Sequence, residues 1–437
     1  MILRLHYIVI FLSTILLLNQ SGFAKPPRPA THTDESRVPK YTLPDPLKFD
    51  DGKPVRTTEE WFQQRRPQIL ELFTQQVYGQ APPAPENVPF KVISRKEDDL
   101  NGTAIRQEIE ITLVGTPKPV VMTMLLYLPK SLPSAPVFWI LNFDGNHTTT
   151  LNPEIPLNPN WIRPGKQGVV NNRATEASRG ARMTCYPVEL LISRGYGMAT
   201  AYYGDIDPDY DDKFQNGIHP AFYKEGQKSP AANEWGSISA WAWGLSRGLD
   251  VLEQIPGVDG KKVAVIGHSR LGKTALWAGA VDSRFAMVIS NNSGCGGAAL
   301  SRRKYGETLA VINWSAPHWF CKNFHQYNDR EDDLPVDQHE LVALIAPRPV
   351  YIASATQDKW ADPKGEFQSA FHADPVYRFL GTDGLGGNTP AEMPAPDEPL
   401  KTGTIGYHIR DGKHDLSEYD WRQYLDFADL HFHSVGK

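Results

Sequence analysis

The order and spacing of the apolar segments predict an α/β fold: a mostly parallel central sheet between two layers of helices, interrupted by long loop insertions. Three observations carry this. Short β-branched and apolar runs at 136–141, 197–203, 262–266 and 348–355 have the composition of strands buried on both faces. Segments of helical period lie between and after them. At Gly267-His268-Ser269-Arg270-Leu271-Gly272-Lys273, one such strand passes into a helix of small residues through a tight turn.

In chain order, Met1–His6 is a charged start, Tyr7–Leu18 is an apolar stretch too short to span a bilayer, and Gly22-Phe23-Ala24 ends in a small-x-small pattern. Residues 1–24 therefore read as a secretory signal peptide cut before Lys25, and 25–437 as a single catalytic domain with an N-terminal extension. No cysteine follows the cut, which argues against a lipoprotein anchor. Residues 25–46, polar and proline-rich, predict a partly extended lead-in. Thr57 followed by Glu60 is a helix start, and Trp61, Ile69, Leu72 and Phe73 fall on one face of the helix it opens. Ile105–Ile111 and Val120–Tyr127 alternate as antiparallel strands do. The strand at 136–141 runs into Asn142–His147, where a hydrolase often places oxyanion-binding backbone. A helix over 274–280, a short strand at 406–409 and a terminal helix over 419–428 complete the pattern. Residues 152–184 and 375–404 are rich in Pro, Gly, Asn and charge without sustained period. Both predict long surface loops near the C-terminal edge of the sheet, as solvated connections or as lips around a polymer. The 36 prolines and 35 glycines are spread as turns, so no internal linker is expected.

The turn at 267–273 carries the chemistry. In a Gly-x-Ser-x-Gly elbow, a strained strand-to-helix turn lifts the serine hydroxyl above the sheet and aims the next N–H at the reacting carbonyl. Here the second glycine comes one position late, at Gly272. Ser269 needs a base and the base an orienting acid, which in such folds follow in the order acid, then histidine. Asp358 stands at the tip of the strand 348–355. His414 stands in a polar loop between the last strand and the last helix. By itself Asp358 is equally a turn former, and most of the 13 histidines, His318, His325 and His339 among them, read as structural or solvent-facing.

Taken with Ser293-Gly294-Cys295-Gly296-Gly297-Ala298, Leu334-Pro335-Val336-Asp337-Gln338-His339, Leu344-Ile345-Ala346-Pro347-Arg348-Pro349, Asp358-Lys359-Trp360 and Gly412-Lys413-His414, the elbow resembles the bacterial glucuronoyl esterases of carbohydrate esterase family 15. The resemblance covers nearly all of the chain after residue 24 and is strongest from about Tyr202. It implies an α/β-hydrolase fold, no metal or other cofactor, and cleavage of esters between (4-O-methyl-)glucuronic acid on xylan and alcohols of lignin. It also implies roles: Ser269 as nucleophile, His414 as general base and acid, Arg270 at the oxyanion, and Lys273, Glu307 and Trp360 at the sugar. Without it, Lys273 reads as a surface charge, Trp360 as core and Glu307 as a helix cap. Fungal members take the triad acid from Glu-Ser-Gly, where this chain has Asn292-Ser293-Gly294, and an amide cannot stabilise an imidazolium by charge. The acid is therefore expected from Asp358. Cysteines that staple the fungal elbow are replaced by His268 and Asp415.

Cys185, Cys295 and Cys321 allow at most one disulfide, conceivably Cys295 with Cys321, and their spacing does not suit a metal. A net charge of −5 with no concentrated basic run argues against nucleic-acid binding, so attraction for an anionic substrate must be local, through Arg270 and Lys273. The expected protein is a secreted or periplasmic serine esterase, monomeric, acting on glucuronoxylan or lignin–carbohydrate esters without a membrane partner. The alternatives are an acetyl xylan or feruloyl-type esterase, and a non-catalytic polysaccharide-binding protein on a hydrolase fold.

Overall fold

A computed structural model describes residues 26–115, 118–387 and 392–433. The segment expected to be a signal peptide lies outside the described residues. The strands are β1 (Phe90–Asp99), β2 (Ala104–Val114), β3 (Val120–Pro129), β4 (Ala135–Asn142), a two-residue hairpin of β5 (Val169–Val170) and β6 (Arg173–Ala174), then β7 (Gly197–Tyr202), β8 (Val258–His268), β9 (Met287–Asn291), β10 (Val350–Ala355) and β11 (Ile405–Arg410). Nine of them form one sheet in the order β1-β2-β3-β7-β4-β8-β9-β10-β11. The first three pair antiparallel, β3 meets β7 antiparallel, and β7 through β11 are parallel.

The parallel strands alternate sides in the way their all-apolar composition requires. Val137, Trp139 and Leu141 of β4 and Val263 and Val265 of β8 face one core, while Phe138, Ile140, Ala264 and Ile266 face the other. The first core packs against α1 (Thr58–Glu60), which continues through α2 (Arg66–Phe73) to Tyr78, and against α4 (Ser237–Leu252), α5 (Arg270–Val281), α6 (Leu309–Ser315), α7 (Gln338–Ala343) and α8 (Pro363–Phe379). The second packs against α3 (Val188–Ser193) and α9 (Glu418–Phe432). With both faces covered, polar residues inside the sheet have no water to bond, and functional groups are left to the strand ends.

The expected helix start is a capping box, in which the Thr57 hydroxyl accepts from Glu60 N and the Glu60 carboxylate accepts from Thr57 N. Strand β1, whose residues are mostly exposed, was not expected. It lies at the sheet edge, where it pairs with β2 alone, and it carries no apolar alternation to betray it. The segment 375–404 departs from expectation. Residues 375–379 finish α8, where burial of Ala373, Val376 and Tyr377 outweighs the break that Pro375 introduces. The chain then returns beside β11, with Leu400 N and O bonded to Tyr407 at 2.8 and 2.7 Å and Asp397 N to Ile409 O at 3.0 Å. Residues 397–400 thus cover the open edge of the sheet. All three cysteines are free, and Cys295 and Cys321 are buried thiols, not a disulfide.

Glu366, on α8, is fully buried beneath the strand ends. It accepts from Gly294 N at 3.0 Å and Ser354 Oγ at 2.7 Å, yet burial pushes its pKa from 4.5 up to about 8. A carboxyl whose folded pKa is raised stabilises the fold in its protonated state. That contribution is complete below the unfolded pKa and is lost as pH rises through the folded one. Glu366→Gln keeps an acceptor for Gly294 N without a charge, so its stability relative to wild type should rise by a few kcal/mol, at about 1.4 kcal/mol per pKa unit, as pH climbs from 5 toward about 8. Urea unfolding at several pH values checks this. A wild-type-minus-variant difference that stays flat with pH would show that Glu366 does not titrate this way.

Candidate functional site

Strand β8 ends at His268, and Ser269 turns the chain into α5 at φ 57° and ψ −128°, a conformation that costs a residue bearing a side chain. Two glycines permit it. A Cβ on Gly267 would lie 1.8 Å from Leu271 O, inside the returning helix. Gly272, one position later than the simple elbow pattern, packs α5 onto β9, where a Cβ would sit 3.0 Å from the Ser293 side chain and 3.2 Å from Asn291 O. Ser269 N donates to Asn291 O at 2.9 Å, and Gly272 N donates to Ser269 O at 2.8 Å. The hydroxyl makes no hydrogen bond within the described residues. It lines a pocket that His268, Arg270 and His414 also line.

The structure brings the two other predicted members to this turn. Asp358, buried at the tip of β10, meets His414 Nδ1 through Oδ2 at 2.5 Å, while the imidazole is about two-fifths exposed. Asn292 occupies φ 47° and donates Nδ2 to that same Oδ2 at 2.9 Å. Burial alone would raise the Asp358 pKa. The bonds from His414 and Asn292 outweigh it and hold the carboxyl below its usual value. The residue in the place of an acid thus supports the acid that replaces it.

The His414 loop is fixed by a residue the sequence reading passed over. Arg410 at the end of β11 donates to the carbonyls of Asp411, Lys413 and Asp415 at 3.2, 3.0 and 2.7 Å. Its Nε is held by Asp420, which is buried and also accepts from the Ser417 hydroxyl and faces His408 Nε2. Across the strand ends, Gln357 N donates to Gly412 O at 2.9 Å. His268 packs its ring 4.5 Å from that of His414. Asn291 Nδ2 is engaged by the Tyr424 hydroxyl, so its carbonyl oxygen takes the His268 Nδ1 proton at 2.6 Å. Burial, and then the neighbouring His414, push the His268 pKa down to about 3, and the ring is neutral.

Arg270 is anchored from behind. Its Nη1 pairs with Asp209, a buried carboxylate that also takes bonds from Tyr203 Oη at 2.9 Å and Trp319 Nε1 at 2.7 Å and meets His318 Nε2 at 3.1 Å. The guanidinium lies 4.9 Å from the Trp319 ring centre and 5.4 Å from that of Phe143. Burial opposes ionisation of Asp209, but Arg270 and His318 keep its pKa well below the ordinary carboxylate range. Sequence reasoning missed Asp209. Its signal was weak, one acid among Asp205, Asp207 and Asp209 after β7. His318, read as structural, belongs to this network. Phe143, from the loop after β4, also lines the pocket.

Lys273 is not a surface charge. It is 3% exposed, donates to Ser293 O and pairs with Glu307 Oε2 at 3.2 Å. Glu307 N donates to Trp360 O at 3.0 Å, which sets the three predicted sugar-contacting residues side by side. Trp360 is half-buried, with Arg28 of the lead-in 4.9 Å above its ring. The lead-in is tied to the same turn, since Gly306 N donates to His32 O at 2.8 Å and the Thr31 hydroxyl to Gly306 O.

The comparisons with known proteins agree with this architecture. The family model described as glucuronyl esterase, fungi, matches residues 196–381. A carbohydrate esterase from an unknown prokaryotic organism is 51% identical over 91% of this chain and 91% of its own length. Among solved structures, a promiscuous CE15 esterase from the marine bacterial metagenome is 50% identical with a TM-score of 0.86, covering 92% of this chain and 100% of that one. The glucuronoyl esterase from Solibacter usitatus is 45% identical with a TM-score of 0.86, over 91% and 100% of the two chains.

Asp209→Asn removes the charge behind Arg270 while keeping the shape. It is expected to lower kcat for ester hydrolysis about a hundredfold with a smaller change in KM, the pattern of a weakened oxyanion donor. Steady-state kinetics on a soluble ester checks it, and an unaltered kcat would mean that Arg270 does not depend on Asp209.

Proposed function

Because the chain belongs to carbohydrate esterase family 15, we propose that it is a serine esterase hydrolysing esters of (4-O-methyl-)glucuronic acid, such as lignin–carbohydrate ester linkages on glucuronoxylan. The observation that carries this reading is the convergence on one pocket of Ser269 at its strained turn, His414 held by Asp358, and Arg270 held by Asp209. The Lys273, Glu307 and Trp360 cluster beside it offers a cation, an anion and an aromatic face to a sugar.

In this mechanism Ser269 Oγ attacks the C6 carbonyl carbon and its proton passes to His414 Nε2. The carbonyl oxygen becomes an alkoxide that the Arg270 guanidinium and backbone N–H groups stabilise. Arg270 needs no reorganisation to do so, because Asp209, Trp319 and Phe143 already hold it. Collapse of the tetrahedral adduct breaks the bond to the alcohol oxygen, which takes the proton from His414. Water then gives its proton to His414 and attacks the acyl carbon, and Ser269 leaves with that proton. Asp358 keeps the Nδ1 proton in place and offsets the imidazolium charge, with Asn292 holding the carboxylate still. The same reading makes residues 25–437 one catalytic domain, acting as a monomer outside the cytoplasm, secreted or periplasmic. Among the described residues no helix is long and apolar enough to cross a membrane.

Hydrolysis of benzyl glucuronate, acetylated xylan and a feruloyl ester, measured side by side, tests the assignment. The uronate ester alone should be cleaved rapidly. Ser269→Ala should abolish the activity, and Asp358→Asn should reduce kcat by about a hundredfold or more. Turnover confined to acetyl or feruloyl substrates would replace the proposed substrate class with the alternative.

A further inference from the structure

The pocket at Ser269 has a side that the sugar-contacting cluster does not touch. Lys273, Glu307 and Trp360 are absent from its walls. Beyond the turn itself, those walls include His414, Asp415 and Leu416 together with Lys166, Arg182 and Tyr186. A general acid must reach the oxygen it protonates, so the leaving alcohol occupies the His414 side. The cleft beside His414 is therefore the alcohol's, and Lys166 and Arg182, which sit within the insertion at 152–184, line the same pocket.

Its charge is unbalanced. Three cations, Lys166, Arg182 and Arg270, line the pocket against one carboxylate, Asp415. Two of the three cations already have a buried carboxylate behind them. Asp144 takes Arg182 Nε at 2.8 Å, and Asp209 takes Arg270 and, at 3.5 Å, Arg163. Lys166 makes no ion pair and no side-chain hydrogen bond among the described residues, although it is only partly exposed. Burial first, and then Arg182, Arg270 and Arg163, lower its pKa against the opposing pull of Asp144. Asp144 is thus the strongest opposing charge felt by the Lys166 ammonium, yet no carboxylate pairs with it directly, which leaves it able to take an anion in the pocket.

We propose that Lys166, backed by Arg182, forms a subsite for an anionic group on the alcohol half of the ester, so that the enzyme prefers alcohols carrying a carboxylate at their far end. The inference rests on the esterase reading above and adds to it the chemistry of the leaving group. An uncharged alcohol fills the same pocket without using that charge. A carboxylate pairs with Lys166 in a half-desolvated site where such pairs are stronger than at the surface.

Two esters of glucuronic acid that differ in charge and not in shape test it, one of 4-carboxybenzyl alcohol and one of 4-carbamoylbenzyl alcohol. The ratio of their kcat/KM values should favour the carboxylate ester by about tenfold in wild type and shrink as salt is added. Lys166→Met should bring the ratio to about one, and Lys166→Arg should retain most of the preference. Equal rates in wild type, or a ratio that Lys166→Met does not move, would overturn the subsite while leaving the esterase standing. So would weaker inhibition by free glucuronate in Lys166→Met with the ratio unchanged, which would give Lys166 to the product carboxylate instead. Hydrolysis of neither ester would remove the esterase reading and the subsite with it.

Discussion

Ser269 holds φ 57° at the end of the buried strand β8, and the rest of the site depends on the packing that forces it to. A strained residue of this kind costs on the order of 1–3 kcal/mol and persists only where its surroundings over-determine it. Here the surroundings are β8 buried on both faces, the missing Cβ of Gly267 that lets Leu271 O close in, and Gly272 pressed against β9. The turn thereby places one side chain and the start of a helix at the strand ends, with the buried parallel sheet beneath as a rigid base. Everything else in the site is arranged around that point.

Buried carboxylates do much of the arranging, and each organises a cation. Asp209 fixes Arg270, Asp420 fixes Arg410, and through Arg410 the three carbonyls of the His414 loop. Desolvation makes such pairs poor sources of net stability. Their use is positional, because a guanidinium with a carboxylate behind it and aromatic rings beside it has few other places to be. Asn292 plays a similar part without charge. It gives Asp358 a second donor, so the carboxylate facing His414 is held from two directions.

The His268 ring adds a third kind of constraint. Kept neutral by burial and by the neighbouring His414, it lies against His414 without adding a positive charge beside the imidazolium that forms there during turnover. A cationic neighbour at 4.5 Å would oppose that protonation. The hydrogen bonds that set its tautomer run back through Asn291 to Tyr424 on α9, so the terminal helix contributes to the site it never enters.

Much of this was legible in the amino-acid order, because local physics writes it there. The period and composition of the buried strands, the Thr57 capping box, the paired glycines at 267 and 272, and the succession Ser269, Asp358, His414 are all short-range patterns imposed by burial and backbone geometry. Strand β1 and the course of 375–404 were not legible, since an exposed edge strand and an edge-covering loop answer to the neighbours they meet and not to their own sequence period. The same holds for Asp209, Arg410 and the buried state of Lys273. Each is a charged residue whose meaning is its partner, and the partners lie 61, 10 and 34 positions away. The sequence by itself determined which side chains could do the chemistry. Only the tertiary structure decided which charges are paired, which are left to face the substrate, and on which side of Ser269 they stand, because Coulomb energy depends on distance and burial, neither of which the chain order contains.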